Sequence, residues 1–489
     1  MRTPSAGVPH VSPSGRRLAL CVGLVAALVV VTGVSRVIRA AEERKPEYHT
    51  DTHGAAGVVW GFLELSDAAP EYSKYWRGAL DWVAAVSKTE KKGVLICPLV
   101  PAAPPDSKLR KPSGTYMCHT VSMFFRAYDK HGEKKYRDDG LAGARGVAQI
   151  MQKRDVKGGR MYLWHGALAG YSHGLAAFLE VFLSATQHSK EKEFEQALMG
   201  VLLNLRTRGE FIGEGADRRF VWRKGKDGPI ETGFCYGQAG IVQSLLHIAQ
   251  VRPDIKLYDG MTPLSMANSN LRYLMDVAVK RGKIYLWPYM RHSERSRNIG
   301  LGSGTGGIGT AFLMGAHANR KTDPEFAREC MTYARGAAEC AVSMLLRAPK
   351  DKVLKAPGGD GGFGYCGGVL GSCDFLIRFD EALRDSDPAF SAKIRDALRR
   401  VAHYVMAGMV EVDGALACPD RRRQRIALTL DYGQTGVLCG LAQIGKYLKD
   451  DEILGAAKKV GDFVARHAVP EAGGYKFPNF VPYSTNEKE

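Results

Sequence analysis

The sequence predicts an all-α fold, a closed α/α ring of about seven helical hairpins preceded by one N-terminal hydrophobic helix. Three observations lead there. A glycine-centred signature returns along the chain, apolar residues at helical spacing follow each copy, and a second helical pattern follows about 25 to 30 residues later. The clearest copies are His53-Gly54-Ala55-Ala56-Gly57, Cys235-Tyr236-Gly237-Gln238-Ala239-Gly240 and Asp431-Tyr432-Gly433-Gln434-Thr435-Gly436. Related copies stand at Gly304-Thr305-Gly306-Gly307 and Cys366-Gly367-Gly368-Val369-Leu370-Gly371, a worn one at His173-Gly174-Leu175-Ala176-Ala177, and Cys118-His119-Thr120-Val121 sits where the remaining one belongs. The last small residues fall at 57, about 121, 177, 240, 307, 371 and 436, so the interval runs from about 56 to 67 residues.

Each element follows from that pattern. Val58, Phe62 and Leu65, then Val242, Leu245 and Leu246, then Val437, Leu441 and Ile444 mark the first helix of three hairpins. Second helices are expected around Leu80 to Val86, Ala197 to Leu205, Leu271 to Val279, Tyr333 to Leu346 and Ile394 to Met406. Short extended pieces separate hairpins, most plainly Gly159 to Trp164 and Gly282 to Trp287, which agree at five of six positions when Arg and Lys are equated. The interval exceeds the roughly 34 to 47 residues of common helical solenoids, and neither end carries a polar capping repeat, which favours ring closure over an open superhelix. Closure gathers the signatures, and with them the candidate ligand-contacting residues His53, Tyr236, Tyr365, Asp431 and Tyr432, at one mouth.

Phe234-Cys235-Tyr236-Gly237-Gln238-Ala239-Gly240-Ile241 and Gly170-Tyr171-Ser172-His173-Gly174-Leu175-Ala176 resemble two motifs of the lanthionine synthetase C-like (LanC-like) family, and the repeat carries that resemblance over roughly residues 50 to 480. The resemblance implies an α/α toroid, a zinc ion held by two Cys and one His, and addition of a peptide thiol to a dehydroamino acid. It implies catalytic roles for His173 and Cys235, with Cys235 also a metal ligand. The chain departs from the family pattern at four places. Gly302-Ser303-Gly304 stands where Cys-His-Gly belongs, Glu231 replaces an arginine, the early Asp is missing around Thr115 to His119, and Cys366 is followed by Gly367 rather than His. Cys366 is therefore the candidate substitute metal ligand. A catalytic zinc needs three protein ligands and an open position, and Cys235 alone does not supply them.

Plainer roles compete for the same residues. Free Cys is among the most buried residue types, which suits Cys373 and competes for Cys235 and Cys366. Asp431 and Asp360 stand where helix N-caps stand, and the signature tyrosines suit interhelix packing as well as sugar stacking. Three functions fit: a LanC-like protein binding a peptide or thiol substrate with thiol addition altered or lost, a carbohydrate-active toroid enzyme of glycosidase, lyase or epimerase type, or a non-catalytic binding scaffold.

At the N-terminus Arg16 and Arg17 precede the uncharged run Leu18 to Ser35, with Arg36 and Arg39 beyond it. The run is just long enough to span a bilayer. The expected organisation is a cytoplasmic tail over 1–17, a signal anchor or signal peptide over 18–35, a linker over 36–49 and one toroid domain over 50–482. This places the protein at a membrane with its main domain outside the cytoplasm, or in secreted or periplasmic form after cleavage. Composition fits a globular body. Ten cysteines among 489 residues are far from a disulfide scaffold, and no zinc-ribbon, Walker or dinucleotide motif occurs. The formal charge of +17 is scattered over loops between helices, so no nucleic-acid partner is expected.

Overall fold

The computed structural model describes residues 47–483 except 90, 104–106, 109–112, 165–167, 226, 289–298, 347–362 and 420–424. Among the described residues the helices form two alternating series. The first comprises α1 (Ala55–Leu65), α3 (Gly114–His131), α5 (Leu175–His188), α7 (Gln238–Val251), α9 (Thr305–Asn319), α11 (Cys373–Leu383) and α13 (Gln434–Leu448). The second comprises α2 (Ser73–Val86), α4 (Lys134–Ile150), α6 (Lys192–Arg208), α8 (Pro263–Asp276), α10 (Pro324–Leu346), α12 (Pro388–Ala407) and α14 (Asp451–Arg466). Each odd-numbered helix pairs with the even-numbered helix that follows it and packs on the next odd-numbered one, and α13 packs back on α1, so the inner series returns to its start.

Two-stranded antiparallel hairpins tie the outer series together. β1 (Gln152–Val156) and β2 (Gly159–Leu163) follow α4, β3 (Glu210–Ile212) and β4 (Arg219–Val221) follow α6, and β5 (Val279–Arg281) and β6 (Ile284–Leu286) follow α8. β7 (Val410–Val412) and β8 (Ala415–Ala417) follow α12. β2, β4, β6 and β8 pack on α6, α8, α10 and α14, the next outer helix in each case. Two of these hairpins are followed by a tryptophan that ties them to the preceding outer helix: the Trp287 indole donates to the Leu274 carbonyl near the end of α8 at 2.7 Å, and the Trp222 indole to the Leu205 carbonyl near the end of α6 at 2.8 Å. β10 (Val469–Glu471) and β11 (Gly474–Lys476) follow α14, and β11 packs on α2, closing the outer series as well. A last strand, β12 (Phe480–Pro482), pairs with β9 (Arg425–Ala427).

The glycine signature is a close approach of backbones. Gly237 caps α7 in an extended conformation, and a Cβ there would lie 2.3 Å from the Glu231 carbonyl oxygen; one on Gly240 would lie 2.1 Å from that of Phe234. Gly433 and Gly436 are confined in the same way, at 2.4 Å from Ala427 and 2.2 Å from Leu430. Any side chain would push the turn off the helix start. The copy at 118–121 differs: α3 begins at Gly114 behind Ser113, so Cys118 and His119 lie inside the helix rather than on a turn.

The expectation for the N-terminus is corrected. Among the described residues no helix is long and apolar enough to cross a membrane, so the anchored, membrane-bound placement finds no support, and residues 18–35 lie outside the described residues. The nine cysteines in the described region are all free.

Candidate functional site

The turns before the inner helices hand backbone hydrogen bonds from one repeat to the next. Ser172 N donates to Cys235 O (2.9 Å), Cys235 N to Gly302 O (2.8 Å), Gly302 N to Cys366 O (2.8 Å), Cys366 N to Asp431 O (3.0 Å) and Leu430 N to Thr52 O (3.0 Å). The Thr120 hydroxyl donates to Thr50 O at 3.0 Å, bringing in α3. Residues of equal rank in successive signatures therefore share one mouth.

Cys235 and Cys366 meet there, Sγ to Sγ 3.3 Å, although they belong to repeats two apart. Gly302 lies between them, and a Cβ on it would stand 2.6 Å from the Cys366 sulfur and 2.8 Å from the Cys235 sulfur. The space in which a side chain at 302 would stand is thus taken by the two thiols. The hydrogen bond with Cys235, burial and the neighbouring charges all push the Cys366 thiol above its ordinary pKa.

Beside the thiols, His173 stacks on Tyr236 with centroids 4.8 Å apart and planes within 11°, and meets Tyr116 edge-on at 5.5 Å. Burial, together with the positive charge of His53 and Lys224, pushes its pKa down. Lys224 lies over the Tyr236 ring at 4.6 Å and pairs with Glu231 at 2.8 Å, so the Glu that replaces the family arginine is a buried anion with a cationic partner.

His53 has the opposite electrostatics. Its Nδ1 is 3.0 Å from Asp51 Oδ2 and its Nε2 3.4 Å from Asp431 Oδ2. Burial opposes the imidazolium, but the hydrogen bond and charge of Asp51 and the charge of Asp431 outweigh it and raise the pKa to about 9. Asp51 is fully buried; burial alone would raise its pKa, but the His53 hydrogen bond and the charges of His53 and His49 bring it below the usual carboxylate value. Burial raises Asp431 against the pull of His53.

Tyr432 is 61% exposed at the mouth, with its ring over Gly367. Tyr365 is buried against Leu430 and Cys439, tilted toward Trp60 at 6.0 Å, with its hydroxyl 3.3 Å from Gln443. It packs the ring interior rather than facing the mouth. Asp51 and Tyr116 escaped the sequence reading. Asp51-x-His53 carries a readable spacing, but Tyr116 lies in a repeat whose glycine turn is gone.

The donor set does not match the zinc centre of the family. Two thiols converge, Gly302-Ser303 offers neither the thiol nor the imidazole of the family pair, and among the described residues no group of three or more His, Cys, Asp or Glu is placed to hold a metal ion.

Fold and mouth together define a protein of the α/α toroid class. Among solved structures the chain resembles nisin cyclase, with a TM-score of 0.51 and 13% identity over 89% of this chain and 99% of that one. It also matches the Lin0763 protein from Listeria innocua, with a TM-score of 0.42 and 12% identity over 76% and 98% of the two chains, and cellobiose 2-epimerase from Spirochaeta thermophila, with 0.38 and 12% over 73% and 89%. No protein family matches the chain by sequence, and no curated protein does. At such identity the likeness is one of fold.

Proposed function

We propose that this is a LanC-like protein whose bowl binds a peptide or another thiol compound and in which the zinc-dependent form of thiol addition is lost. The observation that carries the reading is the gathering, at one mouth, of His173 stacked on Tyr236, His53 between Asp51 and Asp431, and two thiols 3.3 Å apart. Burial and positive neighbours hold the His173 pKa below its ordinary value, which suits a proton acceptor, while Asp51 and Asp431 raise that of His53 to about 9, which suits a cation that balances a thiolate. Two titratable groups driven apart by their surroundings are how one site holds an acid and a base together. Tyr116, Tyr236 and the exposed Tyr432 supply flat apolar walls on which a peptide side chain packs. Peptide and thiol recognition thus rests on residues of the chain itself, and no step needs a third metal ligand.

The test is a titration of the full chain with peptides that differ only by cysteine against serine, and with neutral oligosaccharides. The cysteine peptide is expected to bind more tightly, and Tyr432→Ala to weaken it by about tenfold, the weight of one stacking contact. Preference for the oligosaccharide, with no discrimination between cysteine and serine, would replace this reading with a carbohydrate-active one.

A further inference from the structure

We propose that Glu47, His49, Asp51 and His53 form a proton relay between the solvent and the mouth. Carboxylate and imidazole side chains alternate at every second residue of Glu47-Tyr48-His49-Thr50-Asp51-Thr52-His53, and the structure brings them together in chain order. Glu47 Oε2 lies 3.0 Å from His49 Nε2, His49 Nδ1 3.8 Å from Asp51 Oδ1, and Asp51 Oδ2 3.0 Å from His53 Nδ1. His49 and Asp51 thus meet their two neighbours through two different atoms, which separates a conduit from a cluster of ion pairs. The ends are open and the middle is closed: the side chains of Glu47 and His53 are 42% and 35% exposed, those of His49 and Asp51 12% and 1%. One step, from His49 to Asp51, is longer than a hydrogen bond. His49 Nδ1 is buried there and has no hydrogen-bond partner among the described residues, so a small turn of the ring brings it to Asp51 without breaking a bond at that nitrogen.

An imidazole relays by taking a proton at one nitrogen and giving one from the other. The loaded His53 gives its Nδ1 proton to Asp51, Asp51 hands one on to His49 Nδ1, the His49 Nε2 proton goes to Glu47, and Glu47 releases it to water. His53 returns to its Nδ1–H tautomer and takes the next proton from the mouth at Nε2. For a thiol held there the balance is RSH + H₂O → RS⁻ + H₃O⁺, with all four residues unchanged at the end; the reverse passage brings a proton in. Around the relay stand Asp431, 3.4 Å from His53 Nε2, Tyr116, edge-on to His53 at 5.9 Å, and Asn479 Nδ2, 3.4 Å from His49 Nε2. A ligand that fills the mouth shuts the direct path of His53 to water, whereas Glu47 opens to solvent beside Asn479, which its backbone N–H contacts at 3.0 Å. This use rests on the mouth being the place where a bound thiol loses its proton, but the relay is tested without any ligand.

The experiment is NMR on the full chain with ¹⁵N-labelled histidine, reading the rate at which the His53 Nδ1 proton exchanges with water at neutral pH. His49→Gln and Glu47→Gln should each slow that exchange by at least about tenfold, since a side-chain amide does not pass a proton on. A purely structural role for either residue has the opposite sign, because a loosened segment exchanges faster. His188→Gln, in a separate pair with Asp129, should leave the rate unchanged. The wild-type chain supplies a reading that needs no variant: the two ring nitrogens of His49 should show shifts averaged between tautomers. Exchange that is unchanged or faster in both variants, or a His49 ring fixed in one tautomer, would overturn the relay. No peptide or thiol enters the measurement, so its outcome is read apart from that of the peptide titration.

Discussion

At the residue scale the governing pair is Asp51 and His53. A carboxylate with no exposed surface is stable only where a cation or donors compensate its lost hydration, and His53 supplies both with Nδ1 at 3.0 Å. Because the folded pKa of His53 is raised to about 9 from 6.5, its stabilisation is complete below about pH 6.5 and is lost as the pH climbs through about 9. The imidazole is 35% exposed, so solvent screening trims the effect to about 1–2 kcal/mol. Urea melts at pH 6 and pH 9.5 should differ by that amount. Asp51→Asn should flatten the difference and bring the NMR titration of His53 down toward the ordinary imidazole value. A wild-type midpoint near 6.5 would show that the pair does not hold the proton.

Between helices the comparable anchor is Asp380. It sits on α11 with no exposure, accepts from the Arg395 guanidinium of α12 at 3.2 Å and from the Tyr447 hydroxyl of α13, and so binds one hairpin to the next. Asp380→Ala should cost about 2–4 kcal/mol in chemical denaturation, since it orphans both partners. Asp138→Ala, on an exposed pair with Arg137, should stay within about 0.5 kcal/mol. Equal effects would mean that burial of the carboxylate is not what matters. Such cross-ties were the part of the fold that the sequence did not display. Helix starts were legible because the turn glycines are demanded by local backbone contact, as Gly237 and Gly240 show. Candidates of the mouth were legible for the same reason, rank within a signature being local. The meeting of Cys235 and Cys366 was legible only indirectly, through Cys366 as the substitute for the thiol missing at 302, because the contact itself runs across an intervening turn through the curvature of the ring. Tyr365 was misjudged because a signature position alone does not tell whether a ring points to the mouth or the packed interior.

On the scale of the whole molecule, the closing seam is made by the two ends of the described chain. Asn479 N donates to Glu47 O at 2.8 Å, Leu428 N to Asn479 O at 2.9 Å, and β12 lies against β9, with Phe477 fully buried beneath. Removing residues 477–489 should cost at least about 3 kcal/mol, the weight of a buried Phe, while calorimetry still records one transition. A truncated chain as stable as the intact one would place closure in the helices alone. The hydrogen-bonded turns described above have a further consequence for descent. Because successive turns are held shoulder to shoulder, residues some sixty apart in the chain, such as Gly302 and Cys366, stand within a few ångströms of one another, and a group placed on either would serve the same point. In such a molecule a column-by-column comparison of sequences registers a deletion where the space itself records a relocation, and chemistry is inherited by place rather than by position in the chain.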